Sequence, residues 1–379
     1  MIDKILLFPY WFTLKLRHLM FDCGIRKSHT TEVPSICVGN ITVGGTGKTP
    51  HTEMLLRTML EDYDLGRRSI AVLSRGYKRK TSGFQQVTVD GTAAEYGDEP
   101  LQIKRKFPTV TVAVDKSRIK GCDFLAHPEK LLTEKAGRKC KEKSFPAADM
   151  IILDDAFQHR SLKPTLSIVL IDFNRPTYKD HLLPIGRLRD LPERVHKADI
   201  LIVTKCPYDM NSWQKCTWAE NLGIKQFDAQ SCCGIRPDGQ KQYIFFSQIA
   251  YDTPEAVFPE GDARYIHSKR MILFSGIAND TPMVRWLSGD YNIVKRFSFS
   301  DHHQFSKGNI RAIASAANTH STAVIMTTEK DAQRIRDCKK LSYDLKMRMF
   351  YLPIKTTFVT EEEKEIFISV VKKSLTGSD

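Results

Sequence analysis

Between residues 35 and 205, apolar runs recur, each closed by polar or glycine residues. They are SICVGN from Ser35, SIAVLSRGY from Ser69, TVTVAVDKSR from Thr109, MIILDDAFQH from Met150, LSIVLIDF from Leu166 and ILIVTK from Ile200. Apolar runs of this length with little alternation predict strands buried on both faces. Helical stretches separate some of them, such as TPHTEMLLRTMLEDY from Thr49. Strand–helix alternation predicts a parallel sheet with helices on both sides. In such sheets ligands sit at the carboxyl ends of the strands. A turn-rich stretch from about Gln230 to Ser268, with CCGIRPDGQ and YDTPEAVFPEGDARY, breaks the pattern. After it, RMILFSGIAND and TAVIMTTEKDAQRI again read as strand, loop and helix. The expected architecture is therefore α/β, with a core over residues 31–235 and a second, smaller α/β domain over 240–379.

The first 27 residues, MIDKILLFPYWFTLKLRHLMFDCGIRK, follow a different pattern. Large apolar and aromatic residues are interrupted by Lys4, Lys15, Arg17, His18, Arg26 and Lys27. The run is too short and too charged to span a bilayer, and no small-residue cleavage site follows it. Residues 1–30 read either as an amphipathic segment lying in a membrane interface or as a first helix packed on the body of the protein.

The segment VGNITVGGTGKTPHTEML from Val38 carries the strongest chemical signal. It resembles the phosphate-binding motif G-x-x-x-x-G-K-S/T, except that Thr42 stands where the first glycine belongs. The context is that of a nucleotide site: a strand, a glycine-rich turn, then a helix. Residues Thr42, Val43, Gly44, Gly45, Thr46, Gly47, Lys48 and Thr49 form the candidate nucleotide-binding loop. The glycines free backbone N–H groups for phosphate oxygens, and the helix start adds partial positive charge. Lys48 would reach the β- and γ-phosphates, and Thr49 would take a position on Mg²⁺. A core of this kind is P-loop NTPase-like.

Other candidates gain weight from this loop. Asp154 and Asp155 end an apolar strand, where a carboxylate could hold the metal; adjacent buried acids are costly without a cation. Asp98 and Glu99 precede Pro100, an arrangement that an ordinary capped helix start also explains. SFSDHHQFS supplies Asp301, His302 and His303, which matter only as partners for a carboxylate elsewhere. Arg187, Arg189 and Arg194 could grip an anion or form a solvated basic face. A guanine reader N/T-K-x-D begins at Thr204 and Lys205 but meets Pro207, with the acid delayed to Asp209, so GTP is not supported.

Charge and cysteine content narrow the picture only slightly. Lys and Arg number 57 against 44 Asp and Glu, giving +13, which suits an anionic partner. Nucleic acid, a phosphorylated substrate and an acidic membrane all qualify. Nine cysteines without a C-x-x-C pair point to a reducing compartment. No spacing argues for zinc.

Taken in order, GNITVGGTGKTP, SRGYKRK, GDEPLQI, ILDDAFQHR, LLPIGRLRD, FSDHHQFS and MTTEKDA resemble the tetraacyldisaccharide 4'-kinase family, LpxK, across about residues 34–331. The variant loop entrance is a habit of that family. The resemblance implies transfer of the γ-phosphate of ATP, with Mg²⁺, to the 4'-hydroxyl of a lipid A disaccharide 1-phosphate precursor. It implies a peripheral or monotopic enzyme on the cytoplasmic side of the inner membrane, with no nucleic-acid partner and no obligate protein partner. By position, Asp98 and His302 would act as the base, with Lys48 on the phosphates. Thr49, Glu99, Asp154 and Asp155 would surround the metal, and Tyr77, His159 and Arg189 would lie in the nucleotide and substrate region. The chain departs from the family at Ala156 (commonly Gly), Arg187 (commonly Pro) and Asp190 (commonly Glu). An acceptor-independent ATPase or GTPase switch is the alternative reading.

Overall fold

The computed structural model describes residues 2–301, 303–338 and 341–376. Its largest element is an eleven-stranded sheet. Seven of these strands run parallel: β1 (Ser35–Gly39), β2 (Ile70–Ser74), β3 (Thr111–Val114), β4 (Met150–Asp154), β5 (Leu166–Asp172), β6 (Ile200–Thr204) and β7 (Lys241–Tyr251). Their order across the sheet is β7-β6-β5-β1-β4-β2-β3. β1 is central, with Val38 opposite Asp154 of β4 and Gly39 opposite Val169 of β5. The six apolar runs are thus all strands, and the physical reason is visible along β1. Ile36 and Val38 face one core layer and Cys37 the other, so both faces must be apolar. Helix α1 spans Ile2–Asp22 and helix α2 spans Lys48–Glu61, the latter burying Met54, Leu55, Leu56 and Met59 on the sheet.

A second sheet of five strands lies between Glu255 and Leu352. Its parallel members are β8 (Arg270–Ser275), β9 (Asn292–Ser298), β10 (Val324–Thr328) and β11 (Met349–Leu352), ordered β11-β10-β8-β9. The boundary expected near residue 240 needs correction at both ends. β7 pairs in parallel with β6 and so belongs to the first sheet. Strand β12 (Ile354–Phe358) then returns to pair antiparallel with β7. The last helix packs Phe367, Val371 and Leu375 into the same core as α2. Turn residues on either side of β7 hide its apolar centre, Ile244–Phe245–Phe246, in the sequence.

Two further helices matter below. Helix α3 spans Asp98–Lys106 and belongs to the first layer, whereas α4 spans Glu329–Ile335 and directly follows β10 of the second sheet.

Candidate active site

β1 ends at Gly39 and α2 begins at Lys48; the turn between them is held from three sides. Asn40 Nδ2 donates to Thr46 Oγ1 at 2.7 Å. Thr204 Oγ1, at the end of β6, donates to the Thr46 carbonyl at 3.0 Å. Lys205 Nζ reaches the Gly45 carbonyl at 2.5 Å and pairs with Asp172 at 2.5 Å. Gly44 (φ 114°) and Gly47 (φ 88°) occupy left-handed backbone that favours glycine. Among the described residues no side chain caps the start of α2. No side chain of the described residues therefore competes for its first N–H groups, as an anion site requires. His51 braces the turn: Nδ1 donates to the Gly47 carbonyl at 2.7 Å, leaving Nε2 to accept from Ser247 Oγ at 2.8 Å. Burial lowers the His51 pKa to about 4, so the ring is neutral near pH 7.

Thr42, the departure from the usual motif, has an ordinary extended role. It forms an antiparallel bridge with Leu188. Val43 N–H donates to the Arg187 carbonyl at 2.7 Å, and Arg189 N–H to the Ile41 carbonyl at 2.8 Å. The loop around residues 182–190 thus forms one wall of the turn's entrance. Arg187 N–H donates to Asp180 Oδ1 at 3.1 Å, a bond that a proline at this position could not make.

The β4 carboxylates face this turn. Lys48 Nζ lies 3.9 Å from Asp155 Oδ1, and Arg189 forks onto the same carboxylate, with Nη1 3.4 Å from Oδ2. Burial raises the Asp155 pKa, but Lys48 and Arg189 outweigh it and hold the group below its ordinary value. Asp155 itself adopts φ 49°, a strained setting for a non-glycine residue. Ala156, next along the chain, lies outside the left-handed region. Asp154 is fully enclosed. Its Oδ2 accepts from Ser74 Oγ at 3.0 Å, while Oδ1 has no partner among the described residues. Burial, then the charges of Glu99 and Asp155, push the Asp154 pKa up to about 7.

An unsatisfied carboxylate oxygen under the charge of two further acids suits the hard-oxygen chemistry of Mg²⁺. Among the described residues no three His, Cys, Asp or Glu side chains are gathered to hold a metal alone. Thr49, Asp154 and Glu99 would therefore supply part of a shell that phosphates and water complete, since Mg²⁺ commonly binds this way.

α3 opens at Asp98, which is buried and faces cations from the second sheet's side. Arg334 Nη2 of α4 bonds Asp98 Oδ2, and Lys330 Nζ lies 3.8 Å from the same oxygen. Lys330 also pairs with Glu99 at 3.0 Å and approaches Asp301 Oδ1 at 3.9 Å. Asp98 and Asp301 are thus drawn to one ammonium from either half of the chain. His302, the expected partner of Asp98, lies outside the described residues. Its neighbour His303 is turned to Asn309 Oδ1 at 2.9 Å and stacks on Phe299. Arg334 and Lys330 belong to the MTTEKDA segment and its continuation; only their contact across the two sheets reveals what they do.

The remaining candidates sit around this centre. Tyr77 is exposed on the loop after β2, and its carbonyl would lie 3.3 Å from a Cβ placed on Gly97, the residue before Asp98. Burial, then Arg118, Arg75 and Arg17, lower the His159 pKa to about 4, leaving it neutral. Asp190 faces α1: its Oδ1 lies 2.6 Å from His18 Nε2. Tyr10 Oη donates to the Arg189 carbonyl at 3.0 Å, and Arg17 to the Gln158 carbonyl at 2.7 Å. α1 therefore packs on the body, as one reading of the N-terminus expects. Its other face leaves Phe8, Trp11, Phe12, Leu16 and Leu19 exposed. No described helix is long and apolar enough to cross a membrane.

A parallel sheet whose central strand feeds a glycine turn and helix, beside a strand ending in paired carboxylates, defines a P-loop NTPase-like α/β protein. Residues 4–373 match the family model for tetraacyldisaccharide-1-P 4'-kinase, and the chain belongs to that family. It is a kinase. Among its relatives is the tetraacyldisaccharide 4'-kinase of Parabacteroides distasonis, 37% identical over 378 residues, covering 96% of this chain and 92% of the relative. The protein of the same name from Flavobacterium psychrophilum is 35% identical, covering 98% of each. The fold is similar to that of LpxK from Aquifex aeolicus, solved in complex with ATP, with a TM-score of 0.65 at 24% identity over 98% of this chain and 99% of that one.

Proposed function

We propose that the chain phosphorylates the 4'-hydroxyl of a tetraacyldisaccharide 1-phosphate with ATP and Mg²⁺, as a step of lipid A biosynthesis. The observation that supports this reading is Lys48, at the uncapped start of α2, lying 3.9 Å from Asp155 Oδ1 just after β4. Phosphoryl transfer passes through a loose transition state, so the protein's work is positioning and charge neutralisation. The amides of Gly44–Thr49 and Lys48 hold the β- and γ-phosphates. Asp155 orients Lys48, and Arg189 closes the other side of that carboxylate. Thr49, Asp154 and Glu99 would hold Mg²⁺, which when bound would offset phosphate charge. Asp98, fixed by Arg334, takes the proton of the sugar hydroxyl together with His302. Tyr77 and neutral His159 border the space for the acceptor.

The exposed aromatic face of α1 lies in the membrane interface, where such rings and Lys15 are at home. On this reading the enzyme works peripherally at the cytoplasmic side of the inner membrane, where its lipid substrate is presented. An acceptor-independent nucleotide switch is not favoured, because the family is one of acceptor phosphorylation. ATP consumption measured with and without the disaccharide 1-phosphate lipid tests the reading. Turnover should depend on the lipid; an equal rate without it would leave an ATPase.

A further inference from the structure

α3 and α4 lie antiparallel across the seam between the two sheets. Lys106, the last residue of α3, meets Glu329, the first of α4. Asp98, the first residue of α3, meets Arg334 near the far end of α4. Arg105 Nη1 adds a bond to Gln333 Oε1 at 2.5 Å. This pair is in turn fastened to α2. Lys106 Nζ lies 2.7 Å from Glu53 Oε2 as well as 2.7 Å from Glu329 Oε1. The other Glu53 oxygen accepts from Gln102 Nε2 at 2.7 Å, one turn beyond Asp98. Glu53 itself stands one turn beyond Thr49 on α2.

The side chains of Glu53 and Glu329 are 3% and 4% exposed. Two buried carboxylates on one ammonium are expensive to assemble, and removing the ammonium leaves them uncompensated. Burial raises the pKa of both acids, that of Glu329 to about 7. Burial acts to lower the Lys106 pKa, but the two carboxylates raise it overall. Apolar packing would hold three helices together without this arrangement. What the arrangement adds is direction, because each helix it joins also presents a group to the candidate site: Lys48 and Thr49 on α2, Asp98 on α3, Lys330 and Arg334 on α4.

We propose that Lys106 is a positioning residue for phosphoryl transfer. Through Glu53, Gln102 and Glu329 it locks the helix that carries Asp98 against the helix that opens at the phosphate turn, fixing the separation of base and phosphate. The inference rests on the reading of Asp98 as the base. In-line transfer is sensitive to this separation, and a misplacement of about 1 Å can cost roughly 10²-fold in rate.

The test is a four-point cycle on the full chain: wild type, Lys106→Met, Asp98→Asn and the double variant. kcat, KM for ATP and Tm are measured for each. Lys106→Met should lower kcat about 10- to 100-fold, with KM for ATP within about 3-fold. In the Asp98→Asn background the same change should cost less than about 3-fold, because the group being positioned is already gone. A folded Lys106→Met with wild-type kcat, or a loss that multiplies fully with Asp98→Asn, overturns the proposal. Asp98→Asn with unchanged kcat instead overturns the base reading on which it stands. Should Lys106→Met fail to fold, Glu53→Gln takes its place in the cycle under the same criteria, since it keeps the shape and a bond to Gln102.

Discussion

Replacing Lys48 by methionine probes the phosphate turn with little change of volume. The structure sets the scale of the effect. Lys48 Nζ stands 3.9 Å from Asp155 Oδ1 and its side chain is 17% exposed. A phosphate oxygen at that distance gains about 4 kcal/mol from the ammonium at an effective dielectric constant of about 20. Water entering in place of the ammonium restores part of this, so a net loss of about 2–4 kcal/mol is expected. That corresponds to roughly 30- to 1000-fold in kcat, overlapping the roughly 10²–10³-fold found when one preorganised oxyanion donor is removed. Arg189 still holds Asp155, so the carboxylate keeps one cation and the fold should survive. The assay is initial-rate transfer at saturating ATP and lipid, with Tm as the folding control. A folded variant with kcat within about 3-fold of wild type would refute the assignment of Lys48 to the transferred phosphate.

Asp98→Asn should lower kcat by about 10²–10⁴-fold, far more than ATP affinity, and His302→Ala by less; the double variant should be little worse than Asp98→Asn. Full multiplication of the two losses would mean that the residues act independently. On α1, Trp11→Ser with Phe12→Ser should weaken binding to anionic vesicles by about tenfold or more while Tm holds. Unchanged co-sedimentation would remove the interfacial role. For His51, the folded pKa of about 4 lies below the ordinary histidine value of about 6.5. The unfolded chain therefore binds more protons between these values, and the stability due to His51 is lost as pH falls through them. His51→Gln should shrink the fall in Tm from pH 7 to pH 5, and an identical fall in both proteins would contradict this. Asp154, raised to about 7, works in the opposite sense over that range and remains in both proteins.

The parts of the fold legible in the sequence are those where burial leaves no choice. β1, β4 and β6 are enclosed on both faces, so their sequences are apolar throughout and end at polar residues. The glycine turn was legible because Gly44 and Gly47 need left-handed backbone. β7 was lost because its apolar centre is flanked by turn residues, and the chain's return through β12 has no local signature. Contacts between distant residues were equally hidden. In the sequence Lys205 reads only as part of a broken guanine reader, yet it reaches the Gly45 carbonyl 160 residues away. Arg334 meets Asp98 across 236 residues. Asp190, marked in the sequence only as a departure from the family, is turned to His18 of α1. The N-terminal sequence fits both packing and a membrane interface because one helix presents both faces.

The central claim is that the γ-phosphate leaves ATP for one hydroxyl of an acylated disaccharide. Incubating the full chain with γ-labelled ATP, Mg²⁺ and the disaccharide 1-phosphate in mixed micelles tests it most directly, with the labelled product mapped by NMR. One labelled phosphate per disaccharide is expected, at the 4' position, with loss of that product in Asp98→Asn. Label released only as inorganic phosphate, or attached at another position, would contradict it.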